Sequence, residues 1–337
     1  MFGKLINGYL YGKSGKGDYT KDDLPQTRSQ LFKEMLRVRL SGLMRLNMLY
    51  MLSWLPAMLI IAYHLILVYT ALGGMADASA QFAEGAILEA DMNLQMQAGM
   101  DAIKSIAMFC LLMLVPALTL TGPFTPGLCY VTRNWARDEH AFIFSDFKDA
   151  VKENWKQGLL TGFLTGLVPL VAYVCWEFYG SMASQSGSFY VIPQVLTLFV
   201  ALLWLMSLIF TYPLMVSYRL KYGQLLRNSF LLTLGRLPQT LLFKLISLVP
   251  ILIALAVAFL TPYYVWTVVI CFLYYALFGF AFSRFISASF TNAVFDKYIN
   301  SKIDGVQVDR GLYKNDDDDD DDPDADDPAQ PQDQPGR

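Results

Sequence analysis

Residues 190–217 read YVIPQVLTLFVALLWLMSLIFTYPLMVS, a stretch without a single Asp, Glu, Lys, Arg or His. A helix needs about 20 mostly apolar residues to cross the hydrocarbon of a bilayer, so this stretch decides the class of the protein. Five others meet the same criterion, at 46–72, 105–121, 158–176, 241–260 and 264–284. The last two are separated only by Thr261-Pro262-Tyr263, and the first is longer than one crossing requires, which implies tilt or an extension past the bilayer. The sequence therefore predicts an all-α polytopic transmembrane bundle of about six spans with cytosolic amphipathic helices between them. It divides into a basic N-terminal arm (1–45), a membrane domain (46–300) and an acidic tail (301–337).

Composition agrees. Of 337 residues, 55% are hydrophobic and 16% charged, with a mean hydropathy of +0.37. Soluble domains carry roughly 25% charged residues, so this chain has too little charge to cover a water-facing surface of its size. That argues against a cytosolic enzyme and against a disordered chain. Four cysteines make no disulfide framework, and two histidines supply imidazole ligands poorly. Cys110, Cys129, Cys175 and Cys271 all fall in or beside spans at no metal spacing, and read as small buried hydrophobes. No cofactor and no metal site is expected.

The net charge of −3 hides two opposed parts. Residues 316–337 hold eleven Asp and one Arg, a net of −10, so residues 1–315 carry +7. The positive residues are not scattered. Nine lie in the N-terminal arm, five in 132–157 and four in 218–240, whereas the alternate connections hold only Lys104. With Lys244, Arg284 and the tail counted on the same side, 25 of 26 are cytoplasmic by the positive-inside rule. Both termini are expected inside, in the plasma membrane of a bacterial cell. Positive charge beside membrane spans needs no nucleic acid to explain it, and none is expected as a partner. The Asp block cannot bury apolar surface and lacks the glycine and terminal Glu of a calcium loop, which predicts a solvated tail.

Three stretches carry a resemblance. Residues 42–61 read GLMRLNMLYMLSWLPAMLII, residues 120–139 read LTGPFTPGLCYVTRNWARDE, and residues 144–160 read FSDFKDAVKENWKQGLL. In this order they resemble the YesL-like family of bacterial membrane proteins, classed as a domain of unknown function, over about 42–300. The most specific parts are the Gly-Pro turn with its following Tyr and Arg, and the aromatic-Lys-Asn-Trp-Lys-Gln helix. Family members are commonly associated with genes for carbohydrate uptake by ABC importers. The resemblance therefore implies a transport-linked role with importer membrane subunits as partners. It carries over no catalytic residue.

Local features assign positions to that role. Gly122-Pro123-Phe124-Thr125-Pro126-Gly127 predicts a break in the helix, followed by an interfacial helix with Arg133, Trp135 and Arg137 at the headgroups. Gly158, Gly162 and Gly166, four apart, share one helix face and let a second backbone approach, either within the chain or from another subunit. Arg133, Trp135, Trp155 and Lys156, with these glycines, are the candidate partner-contact residues. His64, in the first span, reads either as a proton or substrate site or as a neutral ring bonded to a backbone carbonyl. Pro56, Pro116, Pro169 and Pro250 predict kinks, and Phe32, Phe147 and Phe230 each precede a Pro-containing span in a weak threefold repeat. Met92, Met96 and Met100 suggest a short amphipathic helix over the outer face.

Two tempting motifs fail. Gly12-Lys13-Ser14 has Asn7 where a phosphate loop needs its first glycine, and no strand precedes it. His64 and His140 lie on opposite sides of any soluble compartment, so no Ser/His/Asp set forms. The reading is a non-catalytic membrane protein, an accessory subunit of a carbohydrate ABC importer. The alternative is a stand-alone small-solute transporter or channel. The sequence leaves oligomeric state open.

Overall fold

The computed structural model describes residues 24–261 and 263–313. It is helical throughout, with no strand among the described residues, and six of its helices are long and apolar enough to cross a membrane. The Asp block of the tail and the Gly12-Lys13-Ser14 motif lie outside the described residues.

Helix α1 runs over Arg28–Ala83, 56 residues or about 84 Å at 1.5 Å per residue. Its start is a capping box. The Thr27 hydroxyl accepts from the Gln30 amide at 3.3 Å, and the Gln30 side chain accepts from the Thr27 amide at 3.0 Å. The basic stretch 28–45 is thus one continuous helix with the first span, and Leu31, Met35 and Leu43 on it are buried. Gly85, at φ 71°, turns the chain, and α2 returns over Glu89–Thr121. The outer residues 89–104 are collinear with the span. They do not form a separate helix lying on the membrane, because Ala, Met, Gln and Glu favour helix continuation and Ala78 and Gly99 pack α1 against α2.

Gly122-Pro123-Phe124 tightens the helix to a three-residue 3₁₀ turn without breaking it, and α3 follows at once over Thr125–Trp135. The reason lies in the placement of the prolines. Each stands in the first turn of its segment, where no backbone donor is required, and the Thr125 hydroxyl donates to the Thr121 carbonyl at 3.1 Å. Helix α4, Ser145–Ser186, carries the cytosolic-type sequence and the third span in one rod of 42 residues. Gly187 (φ 113°) and a 3₁₀ turn lead to α5, Val191–Ser217. Then come α6, Tyr222–Gly235, and α7, Leu237–Leu260. The last span is α8, Tyr264–Tyr274, a π turn at Tyr275–Gly279, and α9, Phe280–Tyr298. The chain is three successive hairpins, with Pro56, Pro169 and Pro250 in the outgoing arm of each, all inside unbroken helix.

The buried core is one-sided. One cluster gathers Leu31, Leu43, Tyr50, Val131, Trp135 and Phe285; a second gathers Cys129, Phe210, Leu214, Leu225 and Phe295. Both lie in the half that carries most of the positive residues, here called the basic end. Toward the opposite end the helices show apolar side chains outward, and in the apolar window of α7 no residue is buried. Exposed to water such faces would cost free energy, whereas against lipid tails they cost little.

Candidate functional site at the basic end

Helix α3 is the hub. Nine of its eleven residues are buried, so it is not the interfacial helix the sequence suggests. Trp135 is 2% exposed. Its ring faces Gly42, where a Cβ would lie 3.0 Å from it, its indole N–H donates to the Ala141 carbonyl at 3.4 Å, and the Arg39 guanidinium lies 5.9 Å from the ring centroid. Trp135 is therefore interior and offers nothing to a partner. Arg133 is largely covered too, its backbone carbonyl accepting from Asn292 at 3.2 Å.

The glycine ladder is consumed inside the chain. A Cβ on Gly158 would sit 2.7 Å from the Gly122 carbonyl oxygen, on Gly162 2.6 Å from that of Leu118, and on Gly166 2.7 Å from the Val115 Cα. The three glycines let α4 lie directly on α2, and they are not a face for another subunit. His64 bonds within its own helix. Its Nδ1 is 2.8 Å from the Ile60 carbonyl of its own helix, and its ring meets Tyr63 edge-on.

Below the core, a polar network fixes the end of the described chain. Arg28 pairs with the buried carboxylate of Asp296 and, at 2.9 Å, with Asp309. Asp296 also accepts from Asn300 Nδ2 at 2.6 Å and from the Asp309 amide at 3.2 Å. Arg310 donates to Glu139 at 2.7 Å, and the Tyr313 amide donates to the Pro25 carbonyl at 2.9 Å. Residues 303–313 are thus tied to the base of α1 and α3, and only residues beyond them belong to the acidic tail as the sequence reads it.

Tyr218 joins this network by donating to Asn300 Oδ1 at 2.7 Å. Burial pushes its phenol up to about 12, with the nearby Arg133 opposing the shift. Because the folded value lies above the unfolded one of about 10, the stability tied to this group is intact below pH 10 and falls away between pH 10 and 12. Tyr218→Phe should remove that part of the alkaline loss. Thermal midpoints of the two proteins from pH 9 to 12 would show it, and parallel curves would refute it.

What remains outward-facing is α4. Trp155 is 47% exposed with the Lys156 ammonium 5.6 Å from its ring, and Phe142 and Phe144, just before the helix, are 63% and 68% exposed. On the neighbouring face of α4 an open cleft of about 720 Å³ separates Glu153, Asn154 and Gln157 from the 215–221 connection, which contributes Arg219 and Lys221. Gln157 spans it, donating to the Leu220 carbonyl at 2.9 Å. Of the sequence-derived contact residues, the structure brings only Trp155 and Lys156 to this surface. The cleft was not legible in the sequence, since its two walls are some 60 residues apart.

Residues 102–176 match the family described as "Protein of unknown function, DUF624". The match runs from α2 through the 3₁₀ turn and α3 to the outer part of α4, and so takes in the glycine ladder and one wall of the cleft. No curated protein and no solved structure matches the chain.

Proposed function

We propose that this multi-pass protein is a non-catalytic accessory subunit that binds the membrane subunits of a carbohydrate ABC importer, in the bacterial plasma membrane with both termini cytoplasmic. The observation that carries the reading is the exposed aromatic surface at the basic end. Phe142, Phe144 and Trp155 stand outward beside the exposed Lys148, Lys152 and Lys156, three aromatic rings and three ammonium groups within fifteen residues. Exposed apolar patches rimmed by charge mark docking surfaces. The importer as partner rests on the resemblance of 42–61, 120–139 and 144–160 to the YesL-like family, and the orientation on the distribution of Lys and Arg. Packing by Trp135, Phe210 and Phe285 at the basic end of the bundle favours a binding role over conduction.

Purification from the native membrane in mild detergent tests this. The expected result is stoichiometric recovery of an importer's membrane subunits and ATPase. Trp155→Ala with Phe144→Ser should reduce recovery by roughly tenfold or more, as loss of an aromatic anchor does. Recovery of the protein alone, under conditions that keep known complexes intact, would sink the proposal. A second reading, a solute transporter, is favoured by the cleft, whose Glu153, Asn154, Gln157, Arg219 and Lys221 suit a polyhydroxyl solute. Solute flux in proteoliposomes holding this protein alone would establish it.

A further inference from the structure

We propose that Lys244 and Arg284 bind a phosphate group, that of an acidic phospholipid, in the crevice between α5, α7 and α9. The proposal is independent of the importer reading.

The two cations come from different helices. The Phe243 and Phe290 rings stack with centroids 4.3 Å apart, pinning α7 onto α9, and two turns further along α9 the Tyr298 hydroxyl bonds Arg236, at the start of α7. In this antiparallel register Lys244 and Arg284 fall within electrostatic reach of one another. The Arg284 guanidinium lies 5.8 Å from the Tyr212 ring centroid on α5 and within reach of buried Tyr50 and Cys129, so it points between the helices. Both side chains are half-buried.

Among the described residues no carboxylate forms an ion pair with either. From Phe178 to Phe295 the chain contains no Asp or Glu and six Lys or Arg. The ion pairs among the described residues involve Arg28, Lys104, Arg137 and Arg310, and neither member of this pair. Two like charges within electrostatic reach at the edge of hydrocarbon repel each other and resist desolvation, and a shared anion answers both costs. Arginine offers a fork that matches phosphate oxygens, and lysine a mobile point charge.

A lipid is the source because of what surrounds the pair. Leu241, Leu242, Leu245 and Ile246 stand around Lys244 on α7 and are all exposed, so that an apolar surface for acyl chains adjoins the headgroup site. The pair also sits at the basic end of the spans, where acidic headgroups collect by charge attraction.

The test uses the purified full chain in neutral detergent, with thermal midpoint as readout. Added phosphatidylglycerol should raise the midpoint by roughly 5 °C over the same amount of phosphatidylcholine, the scale of a ligand well above its dissociation constant. Inorganic phosphate should give no such shift. Lys244→Gln and Arg284→Gln should each remove at least half of it, Lys244→Arg should keep it, and Lys152→Gln, an exposed cation on α4, should leave it whole. Should Arg284→Gln not fold, Lys244→Gln against Lys244→Arg decides alone. Lipid phosphorus retained per protein after extensive washing gives a second measure, expected to fall in Lys244→Gln. A phosphatidylglycerol shift unchanged in Lys244→Gln, or a shift reproduced by inorganic phosphate, would overturn the proposal.

Discussion

Replacing Asn47 with leucine is expected to destabilise the bundle by about 2–4 kcal/mol, far more than its small change in volume suggests. Asn47 is fully buried on α1 opposite the π turn of the last span. Its amide nitrogen donates to the carbonyls of Tyr275 at 2.9 Å and Ala276 at 2.8 Å, and its oxygen accepts from the Ala281 amide at 2.9 Å. A π turn interrupts the regular helical ladder, and one side chain from a neighbouring helix satisfies all three backbone groups around it. Leucine matches the shape of asparagine and makes none of these bonds, so three buried polar groups lose their partner. The midpoint of thermal unfolding in mild detergent should fall by many degrees. An unchanged midpoint would mean that the π turn finds its partners elsewhere.

The second large effect is at Gly162. Leucine there should cost about 3 kcal/mol or more, at the upper end of the range for overpacking, because the obstacle is backbone. Even a methyl group would meet the Leu118 carbonyl oxygen at 2.6 Å and the Gly122 Cα at 2.8 Å, and neither can rotate away. Helices α2 and α4 would have to separate along the ladder, carrying the 3₁₀ turn and α3 with them. Gly162→Ala should do the same to a lesser degree. Gly223→Ala provides the contrast. Nothing lies within 4 Å of a Cβ on that α6 glycine, and alanine there should be neutral or stabilise by up to about 1 kcal/mol. Comparable losses at both sites would show that the ladder does not hold the two spans together.

These two sites differ in how readily the sequence reveals them. The glycine ladder announces itself by its spacing of four, since periodicity reports on which face of a helix meets a neighbour. Only the identity of that neighbour, α2 of the same chain, needed the fold. The six spans were equally legible, because hydrocarbon imposes a length and a composition that few other contexts share. Asn47 was not legible as a structural residue. A lone asparagine at the start of an apolar run carries no sign that its partner is a π turn 228 residues away. Trp135 and Arg133 misled for a related reason. A short helix with Arg and Trp after a Gly-Pro turn has the composition of a membrane interface, and also that of a buried hub whose indole takes a cation, Arg39, from another helix. Lys244 and Arg284 drew attention only as positive charges for orientation. Their neighbourhood follows from the pairing of α7 with α9, which no local pattern encodes.

The one-sided core has a mechanical consequence. The six spans are riveted together at one end by large buried side chains, while toward the other they meet through small residues and single polar contacts, as at Ala78, Gly99 and Tyr173. The free energy of local opening is therefore graded along the chain, lowest in α7, whose apolar window buries no residue within the protein. A change in bilayer thickness is taken up at that more lightly packed end, at a cost of only fractions of a kcal/mol per ångström. The rivet, with its cleft and its aromatic surface, keeps its shape in thick and thin membranes alike.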